Sequence, residues 1–324
     1  MIAPPVYPAT PGERARWVRS LRGPRNPLDP RRAYAAFLEH ETDSARDPVT
    51  TAVLLLTNRE CPFTCTMCDL WQNTLTESVP PGAIPEQIRY ALAPLGPARQ
   101  IKLYNAGSFF DPRAIPPSDY PAIAALLEPF ERVIVECHPA FINQAVTDFQ
   151  RMLSGRLEVA IGLETVHTEA LALLNKGFTL GQFDLAAGAL RQAGIDLRTF
   201  LLVRPPGLSE AEGVEWACRS IEASFDAGAT ACCVIPTRGG NGAMEALQAA
   251  GTFTPPSLRS LESAQRFGLE VGRGRVFADL WDIERLFSCE CSPQRAENMA
   301  QMNRHQRPAP AVPCELCASP GAHD

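Results

Sequence analysis

Val53-Leu54-Leu55-Leu56-Thr57-Asn58-Arg59-Glu60-Cys61-Pro62-Phe63-Thr64-Cys65-Thr66-Met67-Cys68 passes from an aliphatic run straight into three closely spaced cysteines. A short apolar run ended by polar residues reads as a buried strand, here Val53 to Thr57. The loop after it carries Cys61, Cys65 and Cys68 in a Cys-x3-Cys-x2-Cys spacing. Three thiolates on one short loop hold three corners of a cubane iron-sulfur cluster and leave the fourth iron without a protein ligand. Structural zinc takes four closed ligands, and no fourth stands nearby. A zinc site or a chance group of core thiols are the alternatives.

Downstream, short aliphatic runs alternate with amphipathic stretches. Further strands are expected at Ile101 to Tyr104, Arg132 to Glu136, Glu158 to Gly162, Leu197 to Val203 and Ala231 to Pro236. Helices are expected between them at Pro85 to Leu92, Tyr120 to Leu127, Ile142 to Leu153, Leu180 to Ala193 and Glu210 to Ala227. Such alternation builds a parallel sheet with helical crossovers. The fold class is α/β: a partial (β/α)6 TIM-like barrel, to which Val276 to Leu280 adds a further candidate strand. Its chemistry belongs at the carboxyl ends of the strands, where the strand-to-helix loops converge. Residues 1–48 read as a Pro/Arg-rich N-terminal extension with one helix from Pro30 to Glu41, residues 49–280 as the barrel, and residues 281–324 as a tail with four cysteines.

The 324 residues suit one large domain with appendages, and 45% hydrophobic with 20% charged residues is a globular composition. No window approaches the roughly 18 consecutive apolar residues of a membrane span, and the first ten residues lack the pattern of a secretory signal. A cytoplasmic location and no membrane partner are the expectations. Eleven cysteines in such a chain point to metal or redox chemistry rather than disulfides. Cys137, Cys218, Cys232 and Cys233 lie in or beside apolar runs and read as small buried hydrophobes. The net charge of −6 argues against a chain that grips nucleic acid over its whole surface. One local stretch is basic, Arg14, Arg16, Arg19, Arg22, Arg25, Arg31 and Arg32 against only Asp29. It is either a contact for a phosphate backbone or a solvated arm.

The cysteine spacing resembles the motif of the radical S-adenosylmethionine superfamily, with Met67 where that family often has an aromatic residue. The resemblance implies a 4Fe-4S cluster on Cys61, Cys65 and Cys68. Its open iron would chelate S-adenosylmethionine, whose reductive cleavage yields a 5′-deoxyadenosyl radical. It further implies cofactor contacts from Asn105, Ala106, Gly107 and Ser108 after the second strand, from Glu164 in Gly162-Leu163-Glu164-Thr165, from Arg204 in Arg204-Pro205-Pro206-Gly207, and from Ile235 at the end of the sixth strand. Glu136 and His138 point toward the same mouth as candidate catalytic groups; an ordinary ion pair is the alternative. An electron donor such as flavodoxin or ferredoxin would be required. Together with Thr57-Asn58-Arg59-Glu60, Asp69-Leu70-Trp71 and Asn175-Lys176-Gly177-Phe178, these segments resemble the radical subunit of archaeosine synthase and its bacterial relatives. That resemblance implies a nucleoside in tRNA as substrate.

In the tail, Cys289 and Cys291, then Cys314 and Cys317, form two close pairs. Four thiolates suit a closed zinc site, with an auxiliary iron-sulfur cluster as the alternative. Three function classes follow: a radical enzyme acting on RNA, a radical enzyme acting on a small molecule or peptide, and a noncatalytic iron-sulfur electron carrier or zinc scaffold.

Overall fold

The computed structural model describes residues 7–43, 45–310 and 312–314. Eight strands form one sheet in sequential order: β1 (Ala35–Thr42), β2 (Pro48–Leu55), β3 (Gln100–Tyr104), β4 (Arg132–Glu136), β5 (Arg156–Glu164), β6 (Asp196–Val203), β7 (Ala231–Pro236) and β8 (Arg275–Ala278). β1 pairs antiparallel with β2, and every later neighbour pair is parallel. The helices are α1 (Pro11–Ser20), α2 (Ala83–Leu92), α3 (Tyr120–Leu126), α4 (Gln144–Met152), α5 (Thr168–Leu173), α6 (Leu180–Gln192), α7 (Glu210–Asp226), α8 (Ala243–Ala249), α9 (Leu258–Val271) and α10 (Ser292–His305). The partial α/β barrel read from the sequence is present, with β8 as a seventh parallel strand. No helix among the described residues is long and apolar enough to cross a membrane.

The sheet curls, and a buried ion network shows how far. Arg198 on β6 reaches Glu158 on β5 at 2.6 Å and Glu41 on β1 at 3.1 Å, while Arg275 on β8 and Arg132 on β4 each lie 2.8 Å from Glu158. Lys102 on β3 bonds Glu39 at 2.5 Å and also Glu41. Glu158 is fully buried and Arg198 nearly so, and charges so desolvated persist only when mutually paired. The network fills the end of the barrel opposite the carboxyl ends of the parallel strands.

The barrel stays open between β1 and β8, and α10 covers the seam. The side chain of Asn303 bonds Ala278 N and O at 2.7 and 2.8 Å, and Gln306 bonds Val276 N and O at 2.7 and 3.1 Å. These amides occupy the free edge of β8 as another strand would, which removes an exposed pairing edge.

Residues 35–42 are a strand and not part of the helix expected from Pro30 to Glu41. Ala35, Ala36, Leu38 and Glu39 favour helix locally. Tertiary pairing wins, because in a strand Glu39 and Glu41 share one face and both meet Lys102. The sequence reading also passed over α1, whose start is written in Thr10-Pro11-Gly12-Glu13. The Thr10 side chain caps the Glu13 N–H and the Glu13 carboxylate returns to Thr10 N, with Pro11 opening the helix.

Candidate active site

A cavity of about 350 Å3 opens at the carboxyl ends of the parallel strands, within the size range of small-molecule and cofactor sites. Cys61, Cys65 and Cys68 line it from the loop after β2, Ala106, Gly107 and Ser108 from the loop after β3, Glu136 and His138 from the end of β4, Glu164 from β5 and Ile235 from β7. Cys137, read as a core thiol, is buried and also reaches the wall.

Two sequence candidates lie elsewhere. Asn105 is fully buried behind the lining, and neither its amide N nor its amide O finds a partner. Arg204 is directed to Glu210 and to Pro255 O, so it ties the loop after β6 to the start of α7.

Burial pushes the thiols of Cys61, Cys65 and Cys68 up to about 12, 11 and 12. Thiols buried together ionise only when a cation compensates them. This donor set fits an iron-sulfur cluster: three sulfurs in one cavity, with space at Gly107, where a Cβ would stand 3.4 Å from Cys61 Cβ.

The carboxyls in the cavity have distinct tasks. Glu136 accepts the Asn105 N–H at 2.5 Å and also bonds the N–H groups of Ala106 and Gly107. Burial raises it, these three bonds oppose the rise, and the balance stands at about 7. Glu136 therefore shapes the loop after β3, in which Ala106 is held at φ +51°. Glu164 sits at φ +65° beside a register shift in β5 and pairs with Lys176 at 2.7 Å. A Cβ on Gly162 would lie 2.4 Å from Glu164 Oε1 and 2.7 Å from Lys176 Nζ, so a side chain there would displace the tips of this ion pair. Non-glycine residues held at positive φ cost energy and cluster at functional sites.

Lys176 was not singled out as a site residue from the sequence, although it stands in Asn175-Lys176-Gly177-Phe178. It is a buried cation of the cavity wall, raised because Glu164, Cys65 and Cys68 outweigh its burial. The same segment holds the cysteine loop, through Asn175 Nδ2 to Thr64 O and Thr66 N to Leu174 O, both at 2.9 Å.

His138 is committed on both ring nitrogens. Nδ1 accepts the Ala140 N–H at 3.1 Å, and Nε2 lies 2.9 Å from Lys176 O, which only an N–H can satisfy. Phe63 stacks on the ring at 3.6 Å, and burial lowers its pKa to about 4. His138 stays the neutral Nε2–H tautomer from pH 5 to 8. Nitrogen-15 spectra across that range are expected to show no imidazolium signal from this ring.

No family model matches the chain. A stretch of 127 residues, 37% of the chain, is 32% identical to archaeosine synthase subunit beta of Thermococcus kodakarensis and spans 39% of that protein. A longer stretch of 205 residues, 61% of the chain, is 28% identical to archaeosine synthase subunit beta of Methanosarcina acetivorans and spans 59% of it. Each match thus covers less than two thirds of the relative's length. Among solved structures, methylornithine synthase superposes with a TM-score of 0.50 at 15% identity, over 70% of this chain and 65% of that one; at that identity the likeness concerns fold. The chain resembles the radical S-adenosylmethionine superfamily. The cysteine loop here follows β2, the first of the parallel strands.

A second thiol group lies outside the cavity. The sulfurs of Cys289, Cys291 and Cys314 all lie within 4.8 Å of one another, with Cys289 and Cys314 at 3.5 Å. Arg295 Nε donates to Cys291 Sγ at 3.4 Å and its guanidinium also pairs with Glu262 on α9. Cys317 lies outside the described residues.

Proposed function

We propose that the protein is a radical S-adenosylmethionine enzyme that modifies a nucleoside in tRNA. The observation that carries the chemistry is the convergence of Cys61, Cys65 and Cys68 with Gly107, Glu164 and Lys176 in one cavity at the strand ends. Cys61, Cys65 and Cys68 would hold a 4Fe-4S cluster. With S-adenosylmethionine bound, that cluster supplies one-electron reduction of the sulfonium and a 5′-deoxyadenosyl radical.

The chain's own groups bind and orient. Lys176 offers a desolvated ammonium for the cofactor's carboxylate, and Glu164, held beside it, offers acceptor oxygens to ribose hydroxyls. The N–H groups of residues 105–107 are kept in place by Glu136. Ile235 lines the cavity and would supply apolar wall for the adenine, and the Phe63 ring on His138 closes another side. Glu136 and His138 act here as positioning groups.

The tRNA substrate is supported by what the two sequence relatives are named for. The second reading, a small molecule or peptide, is favoured by a cavity of small-molecule size and by the engagement of Arg19, Arg22 and Arg25 with the chain's own groups. Anaerobic reconstitution followed by S-adenosylmethionine and a low-potential donor, dithionite or a flavodoxin or ferredoxin, tests the reading. Release of 5′-deoxyadenosine that rises with tRNA supports it. Release that responds only to metabolite or peptide pools moves the substrate to the second class, and no release from cluster-loaded protein defeats the radical reading. A cytoplasmic location belongs to the same proposal.

At Cys289, Cys291 and Cys314 a single zinc ion fits better than a second cluster. Thiolates sharing one tetrahedral ion at about 2.3 Å stand roughly 3.8 Å apart, whereas in a cubane each sits on its own iron. Metal analysis of purified protein is expected to find one zinc per chain that survives Cys65→Ala and is lost in Cys289→Ser. Iron and sulfide at that site instead would overturn the assignment.

A further inference from the structure

We infer that the N-terminal arm, residues 7–29, is a clip that positions the cysteine loop, with Arg22 as its central positioning residue. The inference rests on the reading that this loop holds the cluster. The arm lies along the loop and grips it at both ends. Arg22 pairs with Glu60, the residue before Cys61, at 2.6 Å, and Arg25 pairs with the other oxygen of that carboxylate. Arg25 also bonds Thr74 Oγ1 and Trp71 O at 2.6 Å, beyond Cys68. Between these ends Arg19 reaches Thr64 Oγ1 at 3.0 Å and Tyr7 bonds Thr66 and Leu173 O.

Packing follows the same line. Tyr7 and Trp17 join Met67 against Met244, Leu247 and Phe253 in a small core separate from that of the barrel. Met67 is thereby partly covered by the arm. The backbones meet too, since a Cβ on Gly242 would lie 2.1 Å from Leu21 O. Asn241 beside it donates to Thr66 O at 2.5 Å and Cys68 O at 3.2 Å. The cysteine loop is therefore held between the arm and the loop after β7.

Arg19, Arg22 and Arg25, read from the sequence as candidate phosphate contacts, are thus engaged by the cysteine loop, while Arg31 pairs at the surface with Glu86 at 2.5 Å. Arg22 is more enclosed than Arg25. Its side chain is 10% exposed and its guanidinium lies 4.8 Å from the Trp71 ring centroid. A cation fixed there does two things for a cluster on the loop. It holds the ligand spacing, and its charge favours the reduced, more negative state, since net charge and exposure set cluster potentials. Outer partners of metal ligands characteristically contribute 10- to 100-fold in affinity.

The test uses full-length, cluster-loaded protein with Arg22→Gln and Arg22→Lys. It follows anaerobic iron release to a chelator by cluster absorbance, the cluster midpoint potential, and apoprotein melting. Arg22→Gln is expected to lose iron about 10- to 100-fold faster and to shift the potential downward, with apoprotein melting little changed. Arg22→Lys should restore the potential and part of the lifetime. Should Arg22→Gln fail to fold, Glu60→Gln removes the same bridge from the loop side and is held to the same expectation for lifetime.

Iron retained as long as in the wild type would overturn the inference. So would weaker tRNA binding as the sole effect, or melting that falls in step with lifetime in both Arg22 variants. A wild-type chain that takes no cluster at Cys61, Cys65 and Cys68 defeats the functional reading instead, and is recognised before any variant is compared.

Discussion

Cys65→Ala is expected to abolish both cluster uptake and 5′-deoxyadenosine release, to background, while leaving the fold and the C-terminal metal in place. Cys61, Cys65 and Cys68 come from one loop, and no other described thiol group of three lies close enough to replace them; Cys137, the other thiol at the wall, is directed to His138 O. With one thiolate gone, two ligands remain for a cluster that already relies on an open fourth position. The loss should be as complete in Cys61→Ala and Cys68→Ala. Burial holds these thiols up at about 11 to 12, so the apoprotein keeps them protonated at neutral pH. Without the metal no buried thiolate charge is left uncompensated, so far-ultraviolet circular dichroism should hardly change. A Cys65→Ala protein that still produced 5′-deoxyadenosine at the wild-type rate would refute the assignment of the site.

Arg198→Met is expected to destabilise the protein by about 3–5 kcal/mol, the usual consequence of removing one member of a buried ion network. Arg198 joins Glu41 on β1 to Glu158 on β5, and methionine fills similar volume while leaving both carboxylates short of a partner. Urea denaturation at neutral pH measures the loss. Acid gives a second signature. Burial alone would raise the Glu41 carboxyl, but Arg198 and Lys102 prevail and hold it at about 2 against an ordinary 4.5. A depressed carboxyl contributes stability that is complete above the unfolded value and is lost as pH falls toward the folded one. The wild type should thus lose this contribution between about pH 4.5 and 2. In Arg198→Met the Glu41 pKa rises and the acid transition moves upward. A variant as stable as the wild type at pH 7, with the same acid midpoint, would show that the network contributes nothing net.

The sequence by itself determined the strand-helix alternation and the cysteine loop's place within it. Arg132–Glu136 and Ala231–Pro236 emerge with the boundaries read from their aliphatic runs, and Leu180–Gln192 within one residue. Local periodicity records which face of an element is buried, and that is enough to count units and to locate the ends where chemistry gathers. Cys61, Cys65, Cys68, Ala106, Gly107 and Ser108, with Glu136, His138, Glu164 and Ile235, share one cavity for the same reason: they stand at or just past strand ends.

Only the tertiary structure decided what those side chains can do. His138 stands in the sequence as a candidate catalytic group, but its ring nitrogens are taken up by Ala140 N and Lys176 O. Arg204 stands at a strand end like the others, yet it turns to Glu210. Lys176 lies well past its strand and still enters the cavity wall, paired with Glu164 beside the register shift in β5. The antiparallel β1 and the basic arm follow the same logic. Their charges find partners far along the chain, 157 residues apart for Glu41 and Arg198 and 38 for Arg22 and Glu60. Neither periodicity nor motif spacing records such pairings; the curl of the sheet creates them.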